Sequence, residues 1–315
     1  MIHAMGYAGV CLGLPDRSIS RTARLANATP ERLRTLIHAN LTDLLAILAY
    51  NVANRICLFR INQSIIPFVS HPINTLHWWT EEEFAPLLRK NGEYIRRHGL
   101  RVSMHPGQYT VLNSENPAVV TAALADLAGT CRILDTMGLD RTHKIVIHGG
   151  AGAPDHQVGL ARLAAVWPQL PEQVRARVVL ENDERTYSVE DLLPFCRRLA
   201  IPLVFDHLHH RANPGAWGDR PIAEIMDEVV QTWGREDGLP KVHFSSQDPD
   251  KRPGAHSYWL RADKFLAFAD ELARVTVDLM AECKGKDLAL LRLREELDWH
   301  PARCGTSFRE GETAA

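Results

Sequence analysis

Side chains of metal-binding type recur where short apolar runs give way to polar sequence. His105 closes RVSMH, His148 closes KIVIH, Glu181 closes RVVLE, Asp206 closes PLVFD, His243 lies within KVHFS and Glu282 closes VDLMAE. His209 follows Asp206 at a spacing of three. Any one histidine at such a place reads as an ordinary hydrogen-bonded residue; the joint occurrence points to metal. Carboxylates and imidazoles crowded together are costly to desolvate, whereas a divalent cation turns the same crowd into a stable site. Imidazole with carboxylate and no thiolate suits Mn²⁺, Zn²⁺, Fe²⁺ or Co²⁺, and the donors are too many for one four-coordinate ion, so two or three ions are implied. Such clusters activate water and clamp the attacking and leaving oxygens of a phosphoryl displacement, but sugar isomerases on barrels also use two metals. Both chemistries stay open at this level.

The elements that must position these residues follow from periodicity. Eight apolar runs of strand length can be counted: 4 to 10, 55 to 61, 101 to 105, 144 to 148, 177 to 181, 202 to 206, 241 to 245 and 277 to 282. Amphipathic stretches with helical spacing separate them, among them TPERLRTLIHANLTDLLAILAYN, EEEFAPLLRKNGEYIRRHG, NPAVVTAALADLAGTCRILDTMG, SVEDLLPFCRRLA, PIAEIMDEVVQTW and RADKFLAFADELA. Strand and helix in alternation predict a parallel sheet, and eight repeats predict a single (β/α)8 TIM barrel whose strand ends converge on one C-terminal face. An open doubly wound sheet is the alternative. No linker divides the chain, so residues 1 to 298 read as one domain and residues 299 to 315, ending SFREGETAA, as a flexible tail.

Composition narrows the class. The chain has 315 residues, 45% hydrophobic and 23% charged, with no run of eighteen apolar residues, which fits a soluble globular protein with no membrane span. The opening MIHAMGYAGVCLG lacks the basic and long apolar regions of a secretory signal, so a cytoplasmic location is expected. Six cysteines without a CxxC pair suggest reduced thiols rather than a zinc ribbon or disulfide framework. A net charge of 36 minus 38, or −2, gives no general basic footprint. A bound polyanion would need local cations or metal ions.

Longer strings carry a resemblance. MHPGQY (104 to 109), IHGG (147 to 150), LENDER (180 to 185), HH-x-x-NPG (209 to 215), KVHFSSQDPDKRPGAH (241 to 256) and ECKGK (282 to 286) stand in the order seen in UV damage endonucleases, and the chain resembles that family from Gly6 to about Lys286. Endonuclease IV and xylose isomerase-like barrels are similar in architecture without sharing these strings. The resemblance implies a metal-dependent repair enzyme that nicks double-stranded DNA immediately 5′ to UV photoproducts by metal-activated hydroxide attack on phosphorus. Cyclobutane pyrimidine dimers and 6-4 photoproducts are the implied lesions, with some tolerance for abasic sites. It further implies a first ion on His105, His148 and Glu181, a second bridged by Glu181 to Asp206, His243 and Glu282, and a third on His209 with His256. Mn²⁺ is the implied metal, with Zn²⁺, Co²⁺ or Mg²⁺ as alternatives. A monomer with no obligatory protein partner, associated with the nucleoid through DNA, completes the expectation. Relatives commonly read Asp-Thr-x-His-His where this chain has Asp206-His207-Leu208-His209-His210; the spacing keeps His209 as the ligand, with His207 and His210 as the competing imidazoles.

Other residues gain expected roles. Lys241, two before His243 on one strand face, would be neutral, a scissile-phosphate contact or carbamylated into a ligand, against a plain snorkelling lysine. Glu181, Lys241 and His71 are the candidate catalytic groups, His71 as a phosphate or outer-shell contact; Arg60 divides between such a contact and pairing with a carboxylate. Extruding a lesion leaves a gap in the duplex that Gln108 and Tyr109, just past His105, could fill. Tyr7 is a second lesion contact, and Lys251 and Arg252 are expected to meet phosphates. A sugar isomerase or epimerase, the alternative function, accounts for the ligands but gives the Gln-Tyr tip and the DPDKRPG stretch no task.

Overall fold

The computed structural model describes residues 1–107, 109–299 and 304. Eight strands, β1 (Ile2–Ala8), β2 (Leu58–Ile61), β3 (Arg101–Met104), β4 (Lys144–His148), β5 (Val178–Glu181), β6 (Leu203–Asp206), β7 (Lys241–Phe244) and β8 (Val277–Ala281), close into a barrel in chain order. Every pair, including β8 to β1, is parallel. This is the closed (β/α)8 TIM barrel expected, not the open sheet. β5 to β8 are buried along their whole length, as strands are when both faces of a parallel sheet are covered.

The helices are α1 (Pro30–Ala53), α2 (Ala85–Arg97), α3 (Pro117–Thr136), α4 (His156–Val166), the short α5 (Glu172–Arg175), α6 (Val189–Leu199), α7 (His207–Ala212), α8 (Ile222–Val229), α9 (Ala262–Glu271) and α10 (Lys286–Glu296). Their starts follow local chemistry. Thr29 accepts the Arg32 amide ahead of Pro30, Asn116 accepts the Ala118 amide ahead of Pro117, and Ser188 with Asp191 forms a reciprocal capping box. By length and hydropathy α1 and α3 could each cross a membrane, but in the fold both lay a buried stripe on the barrel.

Some boundaries differ from expectation. β1 begins at Ile2 and ends at Ala8, and β2 begins only at Leu58 because Arg55, at φ +53°, is still in the turn that leaves α1. α7 and α10 have no counterpart in the periodicity reading; α7 is too short to show a period. The expectation of reduced thiols fails for Cys57 and Cys304, which form a disulfide across 247 residues of sequence at the N-terminal end of β2; Cys11, Cys131, Cys196 and Cys283 are free and buried. Of the expected tail, Trp299 packs on Phe265 with ring centroids 6.2 Å apart, and the remainder apart from Cys304 lies outside the described residues.

Inside the barrel, side chains layer by the two-residue strand period. Val146, Val179 and Val204 cluster together, each two residues before His148, Glu181 and Asp206. Below them lies a charged layer, in which Arg101 donates to Asp278 (2.7 Å) and Lys144 to Asp237 (2.5 Å). The site residues thus crown an apolar plug.

Candidate metal centre

Strand register assembles the centre. His148 pairs with Glu181 across β4 and β5, and Asp206 pairs with His243 across β6 and β7, so their tips end level. Glu282, one residue past β8, donates its amide to the Phe244 carbonyl at 2.8 Å, which places it beside His243.

Glu181 is the hub. Its Oε2 lies 3.3 Å from His105 Nε2 and 3.5 Å from His148 Nε2, and its Oε1 lies 2.8 Å from His243 Nδ1 and 3.6 Å from His209 Nδ1. His243 Nδ1 is also 3.0 Å from Glu282 Oε1. Three groups have ligand atoms within 4.8 Å of one another: His105, His148 and Glu181; Glu181, Asp206 and His209; Glu181, His243 and Glu282. Glu181 belongs to all three. His256 lies outside them, its ring 5.8 Å from His209 and its Nδ1 against the Glu282 carbonyl.

The β6 end shows how sequence sets this geometry. Asp206 Oδ1 accepts the His209 amide at 2.7 Å, which starts α7 immediately after the strand and turns His209 back over the mouth. His207 and His210, three apart, share the opposite face of that turn: His207 packs against Phe268 (4.6 Å) and Phe244 (5.3 Å), and His210 against Phe205 (5.3 Å). Of the three imidazoles, the fold turns His209 to the cluster. Asn182, passed over in the sequence because an asparagine after a ligand carries no distinctive signal, pins this corner: it exchanges hydrogen bonds with the Asp206 backbone (3.0 and 2.8 Å), and its carbonyl meets His209 Nδ1 at 3.0 Å.

Burial and mutual charge shift the acids and bases of the site in opposite directions. Burial pushes Glu181 up, but His243, His105 and His148 outweigh it and hold the carboxyl well below its usual range. Asp206 goes the other way, raised by burial and by the charges of Glu181 and Glu282. Burial opposes the charge on His209, yet Asp206 and Glu181 push it up to about 9, while burial lowers His105. Glu181 Oε2, Asp206 Oδ2 and His243 Nε2 are buried with no hydrogen-bond partner among the described residues. Orphaned acceptors at a nitrogen and oxygen cluster without sulfur fit divalent cations.

The remaining expected site residues divide. Arg60 donates to Glu282 from the end of β2, so its pairing is with a candidate ligand. Lys241 is fully buried beneath His243, its Nζ without a hydrogen-bond partner among the described residues and its pKa driven well below the usual value by burial and by Arg101. His71 is exposed, its Nδ1 accepting the Ile73 amide at 3.0 Å. Tyr109 is 83% exposed at the tip after β3, and Gln108 lies outside the described residues. Lys251 and Arg252 stand exposed on a turn wound around Gln247, whose Nε2 donates to both their carbonyls (3.3 and 3.0 Å). Tyr7 corrects an expectation. It is 0% exposed and donates to Asn51 Oδ1 of α1 at 2.9 Å, because the strand period turns it away from the mouth into the layer between barrel and helix. No surface is left for a lesion.

Comparison with known proteins gives a family model described as UV-endonuclease UvdE, which matches residues 4–302. The UV DNA damage endonuclease of Clostridium perfringens is 35% identical over 291 residues, 91% of this chain and 69% of the relative. The crystal structure of SacUVDE superposes with a TM-score of 0.86 at 30% identity, over 95% of this chain and 100% of that one. Endonuclease IV from Thermus thermophilus (TM-score 0.54, 18% identity, 81% of this chain and 94% of that one) shares the barrel. So does an E. coli 3-keto-D-glucoside 4-epimerase (TM-score 0.55, 14% identity, 94% and 98%), and at such identities each shows the fold alone.

Proposed function

Because the chain belongs to the UV-endonuclease UvdE family, we propose that it is a DNA repair endonuclease that hydrolyses the phosphodiester bond immediately 5′ to UV photoproducts in double-stranded DNA. The observation that carries this reading, beyond family, is a single buried carboxylate, Glu181, shared by three groups of candidate ligands at the barrel mouth. Cyclobutane dimers and 6-4 photoproducts are the proposed lesions, with abasic sites as a weaker substrate.

The residues present fit divalent cations, Mn²⁺ first. His105, His148 and Glu181 would hold one, Glu181 with Asp206, His243 and Glu282 a second, and His209 with His256 a third. Bound there, the cations would supply Lewis acidity at the phosphate and lower the pKa of water. The chain's own residues do the positioning. Glu181 presents one oxygen to His105 and His148 and the other to His243 and His209, so it fixes the distance between neighbouring positions. Arg60 restrains Glu282 at the wall of the mouth. Lys241, unpartnered and favoured in its neutral form, has the free amine that carbamylation requires, whereas its complete burial disfavours direct contact with phosphate. Density extending beyond Nζ would decide this.

DNA contact is assigned to the rim. Tyr109, exposed just past His105, would stack in the gap that an extruded lesion leaves, with Gln108 as its partner. Lys251 and Arg252, exposed on their turn, would meet phosphates, and His71 would touch the backbone from the β2 to α2 loop. An epimerase would leave the exposed tip and the basic turn with no task. A soluble, cytoplasmic monomer is the proposed form. The test is incubation with Mn²⁺ and an irradiated duplex beside an undamaged control: strand breaks mapping 5′ to dimers are expected, and their absence with binding intact would overturn the reading.

A further inference from the structure

One carboxylate on α3 braces the loop tip from below. Asp126 Oδ2 accepts Thr110 Oγ1 at 2.6 Å, while Oδ1 accepts Gln63 Nε2 at 2.6 Å and Ser70 Oγ at 3.2 Å. Gln63 in turn accepts the Gly107 amide on Oε1 at 3.1 Å. Both ends of the 107 to 110 tip are thereby held, Thr110 directly and Gly107 through Gln63. Ser70 adds the loop that carries His71.

The direction of this relay is dictated by chemistry. A carboxylate only accepts, so Gln63 must turn its NH2 to Asp126, and its carbonyl then faces the Gly107 N–H. Among the described residues the tip is otherwise held by its own turn, in which the Thr110 amide donates to the Gly107 carbonyl at 2.9 Å: a side chain added at Gly107 would meet nothing within 4 Å, and Tyr109 is 83% exposed. A segment so placed pays its ordering cost on binding unless it is braced beforehand.

We propose that Asp126 and Gln63 are positioning residues for lesion recognition, holding the tip in the shape in which Tyr109 enters the DNA beside His105 and coupling it to the His71 loop. This rests on the reading of the tip as the segment that probes the duplex. Neither residue touches the reacting atoms, so the brace acts on binding of damaged DNA more than on the cut itself.

Asp126→Asn tests this at constant shape. Its amide can keep its oxygen for Gln63 only by turning Nδ2 to Thr110, so the charge that strengthens both bonds is lost and the Thr110 hydroxyl must accept instead of donate, and Gln63→Leu removes the relay from the other side. Each is expected to raise the KM for a dimer-containing duplex about tenfold, the worth of one to two hydrogen bonds. The kcat is expected to stay within about twofold, with thermal midpoint and bound Mn²⁺ unchanged, and Thr121→Ala on the exposed face of the same helix should alter neither constant. Because the brace acts through the tip, Asp126→Asn added to Tyr109→Ala should cost less than the sum of the two singles. Full additivity, or a loss confined to kcat or to stability, would overturn the proposal. If Tyr109→Ala binds damaged duplex as the parent does, the reading of the tip falls and the proposal with it. If Tyr109→Ala discriminates poorly while Asp126→Asn is unaffected, the brace alone is wrong.

Discussion

Glu181 Oε1 and His243 Nδ1 stand 2.8 Å apart across the barrel mouth, both almost wholly buried and carried by strands that are not neighbours. Such a contact between β5 and β7 exists only if the side chains point inward over the end of β6, where Asp206 adds a second carboxylate. The mouth therefore crowds three carboxylates among imidazoles and the Arg60 guanidinium, and Glu181 Oε2 and Asp206 Oδ2 are left without hydrogen-bond partners among the described residues.

Cation binding should satisfy those oxygens and stabilise the fold. With Mn²⁺ at about 100 times its dissociation constant, stability should rise by about 2.7 kcal/mol and the thermal midpoint by several degrees. Differential scanning calorimetry with a chelator and then with added Mn²⁺ checks this; identical midpoints would mean that the cluster holds no ion.

Stability should fall on acidification between pH 6.5 and about 4. Burial pushes both His143 and His207 down to about 4 from the ordinary 6.5. Over that window the unfolded chain takes up protons that the folded chain refuses, so stability is lost as pH falls, by up to about 3 kcal/mol for each group. His209, raised to about 9, has the opposite sign: its contribution is intact below pH 6.5 and is lost as pH rises through 9. Replacing His207 by Phe, amid Phe244 and Phe268, should flatten the acid limb in urea titrations by about one proton's worth. An unchanged slope would contradict the assignment.

Tyr109→Ala with Gln108→Ala should weaken binding to a dimer-containing duplex by about ten- to a hundredfold and leave undamaged duplex nearly unaffected, since each stacked base is worth about 1–3 kcal/mol. Fluorescence anisotropy on the two duplexes separates selective from general loss, and equal losses would count against gap filling.

Lys251→Ala and Arg252→Ala should act differently, weakening damaged and undamaged duplex alike. Each phosphate contact removed should lower the slope of log affinity against log salt by about one. If the slope is unchanged, these side chains belong to a solvated turn.

Much of this was legible in sequence because the strand period and the candidate ligands coincide. Residues that end an apolar run lie at the mouth of a closed parallel barrel, so His148, Glu181 and Asp206 could be placed without coordinates. What escaped depends on side-chain direction or on long-range pairing. Tyr7 was misplaced because a one-residue difference in strand phase decides whether a side chain faces the mouth or the helices. Asn182, Gln63 and Asp126 act through hydrogen-bond geometry that residue type does not announce, and the Cys57–Cys304 bond joins positions 247 residues apart. The extra His207 left the choice of imidazole open in sequence, and only the short α7 shows that His209 faces the cluster while His207 packs on Phe244 and Phe268.

The most direct measurement is single-turnover cleavage of a duplex bearing one defined dimer, with Mn²⁺, by the parent protein and by Glu181→Ala. One nick immediately 5′ to the dimer is expected from the parent, none from undamaged duplex, and a rate at least about a thousandfold lower from the variant, whose fold should persist by circular dichroism. Comparable cutting by Glu181→Ala, or by the parent on undamaged DNA, would contradict a lesion-specific cut organised around this carboxylate.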